Sequence, residues 1–319
     1  MYKIDLRIKD FAEVSLYTYF ESLKETFSKK DCSIKRTIPI TEINITEVDN
    51  SDINYKNAVI INENVVKYME YDKISNVATL YAPKDNIRFP DLIYIILPMF
   101  SKVLEQDSKY LIHSSAIKYD DNHSFVLVGD ANAGKTSLAY ELISKHGYKL
   151  VSNDHSIVGL EDGFFKLYGG TKEIQMRLGA IKMYFPELYE KIGIDDSNIW
   201  QRKIVVNNYI DEGFISQPDT DYSNLTDIYS ISTYSTGNTF LNRKEPIDEL
   251  LFIYESLSRI SKGTYNYITG FNYPMPSIES DASLQSLANN CCLMAGQCCV
   301  YEGKGTLEGL AKELIKKYG

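Results

Sequence analysis

The octapeptide Gly129-Asp130-Ala131-Asn132-Ala133-Gly134-Lys135-Thr136 fits the pattern G-x-x-x-x-G-K-[ST], and it constrains this chain more than any other feature. At average composition, chance yields the pattern in a chain of this length on the order of one per cent of the time. Its surroundings sharpen it. The apolar run Ser124-Phe125-Val126-Leu127-Val128 before it reads as a strand. After it, Leu138, Leu142 and Ile143 fall on one helical face, and Gly147 marks the stop. Strand, glycine loop and helix in that order predict a phosphate cradle, a P-loop of the Walker A type. Glycines let the backbone wrap closely around phosphate oxygens. Successive N–H groups and the helix N-terminus then stabilise the anion. The spacing assigns phosphate binding to Gly129 through Thr136 and the adjoining Ser137. In such a loop Lys135 reaches the β- and γ-phosphates of a nucleoside triphosphate, and Thr136 holds Mg2+ through its hydroxyl.

The metal calls for a carboxylate at the end of a neighbouring strand. Tyr148-Lys149-Leu150-Val151 resumes as a strand after the helix and ends at Ser152-Asn153-Asp154. Asp154 follows Thr136 by 18 residues, which suits one helix and a return strand. Asp120 and Asp121 precede the P-loop strand and read as solvated turn residues.

Elsewhere the chain alternates short apolar runs with polar turns. Residues 1–105 read as a smaller β-rich accessory domain and residues 106–319 as the P-loop domain. Phe11 to Phe27 has apolar residues at helical spacing and predicts a helix. Tyr110 to Lys118 and Ser124 to Gly129 form a hairpin around Asp120-Asp121-Asn122-His123. A second hairpin is expected from Ile157 to Leu167, turning at Asp162-Gly163. Helices are expected over 247–262 and 305–318. Asn207 to Asn238 is polar and reads as an irregular segment, a mobile loop or a surface insertion.

Composition excludes several classes. The net charge of −9 argues against a general nucleic-acid binder. No apolar stretch reaches the roughly 18 residues of a spanning helix. Leu92 to Phe100, the most apolar run, is interrupted by Pro98 and reads as core. The start of the chain has no apolar signal region. Five cysteines without one point to reduced thiols and a cytoplasmic protein. Cys291-Cys292 and Cys298-Cys299 are adjacent pairs, which cannot easily converge on one ion, and are expected as buried thiols.

From Leu111 to Val158 the chain resembles the HPr kinase/phosphorylase family, whose kinase domain is similar to phosphoenolpyruvate carboxykinase. The resemblance rests on the strand Leu111-Ile112-His113-Ser114-Ser115-Ala116-Ile117, the P-loop, Gly147-Tyr148-Lys149-Leu150-Val151, and Ser152-Asn153-Asp154. A looser match runs from Gly169-Gly170-Thr171 to Arg177 and over Val300 to Leu314. It implies a mixed-sheet α/β kinase domain. It also implies transfer of a γ-phosphate from ATP, with GTP open, to a hydroxyl on a peptide, protein or small molecule. His113 matches the family's strand histidine and is expected to face the acceptor or the γ-phosphate, or to serve as the base. Arg177 is expected to offset charge on the transferred phosphoryl, with Lys172, Arg202, Arg243 and Arg259 as weaker candidates.

Asn153 departs from the family. It stands where HPr kinases carry the first of two aspartates, the proton acceptor. The resemblance therefore passes metal binding to Asp154 and leaves the base unassigned. No copy of the family's Glu-Arg-Gly segment is present, so HPr itself is not the expected substrate. A nucleotide-binding regulator without transfer and a hydrolysing P-loop switch stay open as readings. So does a homo-oligomer.

Overall fold

The computed structural model describes the chain apart from residues 30–31, 50–52, 54, 85, 195–196, 216–220, 263–266, 272, 275–276 and 319. It divides into two compact units, Met1–Ile112 with Leu257–Asn290, and His113–Ser256 with Cys291–Gly319. The first unit thus takes in residues 257–290 as well as the N-terminal segment.

Strict alternation builds the first unit's opening hairpin. In β1 (Tyr2–Ile8), Ile4, Leu6 and Ile8 are fully buried while Lys3, Asp5 and Arg7 lie on the other face. β1 pairs antiparallel with β2 (Ala12–Thr18), from Ile8↔Ala12 to Tyr2↔Thr18. The helix expected over Phe11 to Phe27 is therefore limited to α1 (Glu21–Ser28). β2 is an inner strand buried along nearly its whole length. Ala12, Val14 and Leu16 alternate with Glu13, Ser15 and Tyr17, which lie opposite Arg7, Asp5 and Lys3, so this stretch has the period of two of a strand. β3 (Glu42–Glu47), β4 (Ala58–Glu63), β5 (Tyr68–Asp72) and β6 (Val77–Ala82) complete a six-stranded mixed sheet of order β3-β1-β2-β4-β6-β5. β2, β4 and β6 are parallel at its centre. α2 (Phe89–Glu105) follows, and the run Leu92 to Phe100 lies within it, Pro98 included. Leu92, Ile95, Ile96, Met99 and Phe100 are fully buried there. The described residues contain no helix long and apolar enough to cross a membrane.

The second unit follows the expected order closely around the loop. β7 (Lys109–Lys118) and β8 (His123–Val128) form the hairpin, Ser114 opposite Val128 and Lys118 opposite Ser124. α3 (Lys135–His146) leaves the loop and ends on Gly147 in the left-handed region (φ 75°), a position glycine fills without strain. β9 (Lys149–Ser152) returns to pair with β7. β10 (His155–Glu161) and β11 (Phe164–Gly170) form the second hairpin. β12 (Gln175–Arg177), α4 (Leu178–Tyr184), α5 (Pro186–Ile192) and β13 (Lys203–Val205) come next, with β12 and β13 paired as a small ribbon.

The segment Asn207 to Asn238 holds the main departure from expectation. It contains β14 (Ser223–Thr233), which lies at the centre of the sheet, parallel to β8. Its polar residues conceal it. Buried Asp227 accepts hydrogen bonds from Lys317 Nζ (2.8 Å), Tyr318 Oη (2.6 Å) and Thr226 Oγ1 (3.0 Å). A charge satisfied in this way can occupy an inner strand. The chain continues through β15 (Phe240–Arg243), α6 (Pro246–Ser258), the short pair β16 (Tyr267–Ile268) and β17 (Tyr273–Pro274), α7 (Asp281–Ala295), β18 (Cys299–Gly305) and α8 (Leu307–Tyr318). The larger sheet has the order β11-β10-β7-β8-β14-β18-β15, with β9 added on β7 and β11 also reaching β14.

Leu138, Leu142 and Ile143 of α3, Leu310 and Leu314 of α8, and Phe125, Leu127 and Tyr229 of the sheet share one core. The Phe125 ring stacks on Tyr318 at 5.1 Å and meets Tyr229 edge-on at 5.3 Å. Cys291 and Cys298 are buried and Cys292 is exposed. Burial pushes the Cys298 thiol up, and its Sγ donates to the Leu225 carbonyl at 3.1 Å. Replacing Phe125 by alanine should lower the unfolding free energy by about 3–5 kcal/mol, read from urea denaturation followed by circular dichroism. A loss below about 1 kcal/mol would show that the ring does not carry this core.

Candidate functional site

The loop between β8 and α3 takes two left-handed backbone positions, Asn132 (φ 66°) and Gly134 (φ 93°). Asparagine tolerates this region better than most residues. At Gly134 a Cβ would also run into the Thr233 side chain, so glycine is required twice over. Gly134 brings no capping side chain to α3. The first-turn N–H groups of a helix lack partners within the helix, and an anion can serve as the cap. The loop is pinned to the sheet because Thr233 N donates to the Ala133 carbonyl at 2.9 Å. Lys135 is buried, and its ammonium donates to the carbonyls of Gly129 (2.8 Å) and Asp130 (3.0 Å).

Asn153, 3% exposed, connects the loop to the sheet. Its Oδ1 accepts from Thr136 Oγ1 at 3.1 Å and from Ser115 Oγ at 2.7 Å. Its Nδ2 donates to the Glu173 carbonyl at 3.1 Å. Its backbone N–H donates to the Thr171 carbonyl at 2.7 Å. A backbone carbonyl only accepts, so the contact with Glu173 requires an N–H at that position. This accounts for an amide rather than a carboxylate at 153.

Asp154 sits in the turn before β10 at φ 74°. Its carboxylate faces two imidazoles, His113 Nδ1 at 3.4 Å and His155 Nδ1 at 3.8 Å. The Thr136 hydroxyl is thus held by Asn153, while the Asp154 carboxylate turns to the histidines. Arg177 reaches the loop. Its Nε donates to Asn132 Oδ1 at 3.2 Å and its Nη1 to the Trp200 carbonyl at 2.6 Å. The Trp200 indole lies close over Gly179, where a Cβ would stand 2.5 Å from the ring. Two of the other candidate cations are engaged elsewhere. Lys172 pairs with buried Asp221, and Arg243 pairs with Glu249 at 2.8 Å. Asp120 caps its own turn, accepting from the N–H groups of Asn122 and His123.

Ser115, His155 and Trp200 belong to this neighbourhood and lie outside the sequence-based set. His155 directly follows Asp154 in the chain, and that adjacency is the only sequence signal for it. Ser115 follows His113 at alternate spacing on one strand.

Neither a known protein family nor a curated protein matches the chain. Among solved structures, it is similar to the HPr(Ser) kinase/phosphatase from Coxiella burnetii, with 12% identity, 66% of this chain and 99% of that chain covered, and a TM-score of 0.30. At that level the likeness carries no weight for activity.

Asn153→Asp should destabilise the protein by about 1–3 kcal/mol, because an acceptor then faces the Glu173 carbonyl. Thermal unfolding of the two proteins side by side reads this, and an unchanged or raised midpoint would contradict the bridging role.

Proposed function

We propose that the chain binds a nucleoside triphosphate at Gly129–Ser137 and transfers its γ-phosphoryl to a hydroxyl acceptor. ATP is the expected donor, with GTP open. The acceptor is a serine of a peptide or protein, or a small molecule. The observation that carries the reading is the glycine loop between β8 and α3, left-handed at Gly134, with Lys135 opening the helix. The resemblance of Leu111 to Val158 to HPr kinases supports it from the sequence.

The cradle suits Mg2+ through hard oxygen donors. Thr136 Oγ1 and Asn153 Oδ1 are 3.1 Å apart, and Asp154 offers a carboxylate one residue on. When bound, the ion would neutralise charge on the β- and γ-oxygens. Lys135, held on the loop carbonyls, would exchange them for phosphate oxygens, a stronger charge-assisted contact. Arg177 would bring a second cation to the same anion through its place on Asn132. Asn153 cannot take a proton, so its part is to hold Thr136. His113, oriented by Asp154, is the side chain suited to receive the acceptor's proton. A loose phosphoryl-transfer transition state needs little help from a base, so positioning and charge supply most of the rate.

The second reading, a nucleotide-binding regulator, is favoured by one observation, the commitment of the Asn153 amide to the Glu173 carbonyl. The two are separable. The chain has a single tryptophan, Trp200, whose carbonyl is tied through Arg177 to the loop, so its fluorescence reports binding apart from transfer. With labelled ATP, Mg2+ and libraries of peptides and hydroxyl compounds, transfer is expected. It should vanish in Lys135→Ala, and in Asp154→Asn its metal dependence should go with its activity. A fluorescence change without transfer to any acceptor would favour the regulator. Transfer at the unaltered rate in Lys135→Ala would refute the kinase assignment.

A further inference from the structure

We propose that the first unit binds a free α-amino acid with an apolar side chain, in a cavity on the polar face of its six-stranded sheet. The site shares no residue with the glycine loop. β1 and β2 bury Ile4, Leu6, Val14 and Leu16 on one face and turn Lys3, Asp5, Glu13, Ser15 and Tyr17 to the other. Val48 and Ile53, from the connection between β3 and β4, pack on a buried cluster of Tyr17, Ala58 and Val77 at that second face. Beside them lies a cavity of about 400 Å³. That volume falls within the range of small-molecule pockets.

The lining has two ends of different chemistry. At one end Tyr17 stands with Val48 and Ile53. The polar groups there already satisfy one another. Lys3 Nζ pairs with Asp5 Oδ1 at 2.9 Å, and Ser15 Oγ donates to the same oxygen at 2.5 Å. That end is left to an apolar group. At the other end are Glu13 and Lys56. β2 and β4 run parallel with Ser15 opposite Ala58, which brings Lys56 beside Glu13, two residues earlier on each strand line. Glu13 gives Oε2 to Arg7 Nε and keeps Oε1 for a further donor. Glu13 and Tyr17 are four residues apart on one strand, a span of about 13 Å, so a head group and an apolar side chain fit at separate ends.

The wall between the ends is formed in advance. Asn57 holds a left-handed backbone (φ 51°), and its carbonyl accepts from Ser15 N at 3.0 Å. Its Oδ1 accepts from Nδ2 of buried Asn76 at 3.0 Å, and Asn76 Oδ1 accepts from Tyr71 Oη at 2.7 Å. Lys56 is thus carried next to a fixed turn. The charges select the ligand. An α-ammonium meets the Glu13 carboxylate and an α-carboxylate meets the Lys56 ammonium, both as charge-assisted hydrogen bonds. An anion or an amine alone answers only half of this pair. Each terminus of a peptide likewise carries only one of the two charges.

The test uses the whole chain, free of nucleotide, with the methyl resonances of Val48 and Ile53 as reporters. L-phenylalanine is titrated beside three relatives: the N-acetyl compound without the ammonium, the amide without the carboxylate, and glycine without the side chain. We expect saturable binding of L-phenylalanine that moves both resonances, and binding weaker by about tenfold or more for each relative. Glu13→Gln should remove the discrimination against the N-acetyl compound alone, and Lys56→Gln the discrimination against the amide alone. A merely structural role for either residue would not move these two preferences separately. The comparison of the four compounds is made in the unaltered protein, so a variant that fails to fold does not spoil the test. Unmoved Val48 and Ile53 resonances, or N-acetyl compound or amide bound as tightly as the amino acid, overturn the proposal. So do unchanged preferences in both variants. Nucleotide binding, followed through Trp200, is a separate measurement, and failure of either reading leaves the other standing.

Discussion

The carboxamide of Asn153 joins elements that the chain otherwise leaves separate. Through Oδ1 it holds Ser115 on β7 and Thr136 on the first turn of α3. Through Nδ2 it holds the strand-to-ribbon connection at Glu173. Each bond contributes on the order of 1 kcal/mol, but the larger quantity is the cost of leaving any of these buried groups unmet. The direction of the amide is set by the Glu173 carbonyl, which accepts and cannot donate. The start of α3, and with it the glycine loop, is thereby fixed against the sheet.

Around this neutral bridge the second unit separates its charges. On one side lie Lys135 and Arg177 with the glycine loop, the groups of the proposed nucleotide site. On the other lies the Asp154 carboxylate between the His113 and His155 rings. Asn153 and Asp154 are consecutive residues, and a left-handed turn at Asp154 sends their side chains to different partners. A carboxylate in place of Asn153 would carry negative charge toward the Thr136 hydroxyl at the start of α3. The amide keeps the two environments apart while remaining a hydrogen-bond acceptor.

Local patterns made part of this readable in advance. The strand, loop and helix from Ser124 to His146 were legible because glycine placement and apolar spacing act over a few residues. So were the hairpins β7–β8 and β10–β11, whose turns are marked by Asp, Asn and Gly. β14 was hidden because Asp227 gains its meaning from Lys317 and Tyr318, about 90 residues on. β2 alternates from Ala12 to Leu16, but over so few residues before α1 that one helix fits the apolar positions of the whole run. At the candidate site, only a loose sequence match points to Arg177, and its approach to Asn132 depends on where β12 and α4 meet. His155 could be recognised only once β7 and β10 stood side by side.

The central place of β14 has a bearing on how the chain is made. β8 ends at Val128, yet its parallel neighbour begins at Ser223 and the next strand, β18, at Cys299. The first unit is likewise completed by residues 257–290. A nascent chain that has just exposed the glycine loop therefore holds it on an unfinished sheet edge. The larger sheet cannot close until β14 and β18 have been made, and that long-range strand pairing is intrinsically slow, whereas the six strands of the first sheet all lie within residues 2–82. Synthesis thus leaves an interval in which β8, with the glycine loop at its end, stands without its parallel neighbour β14.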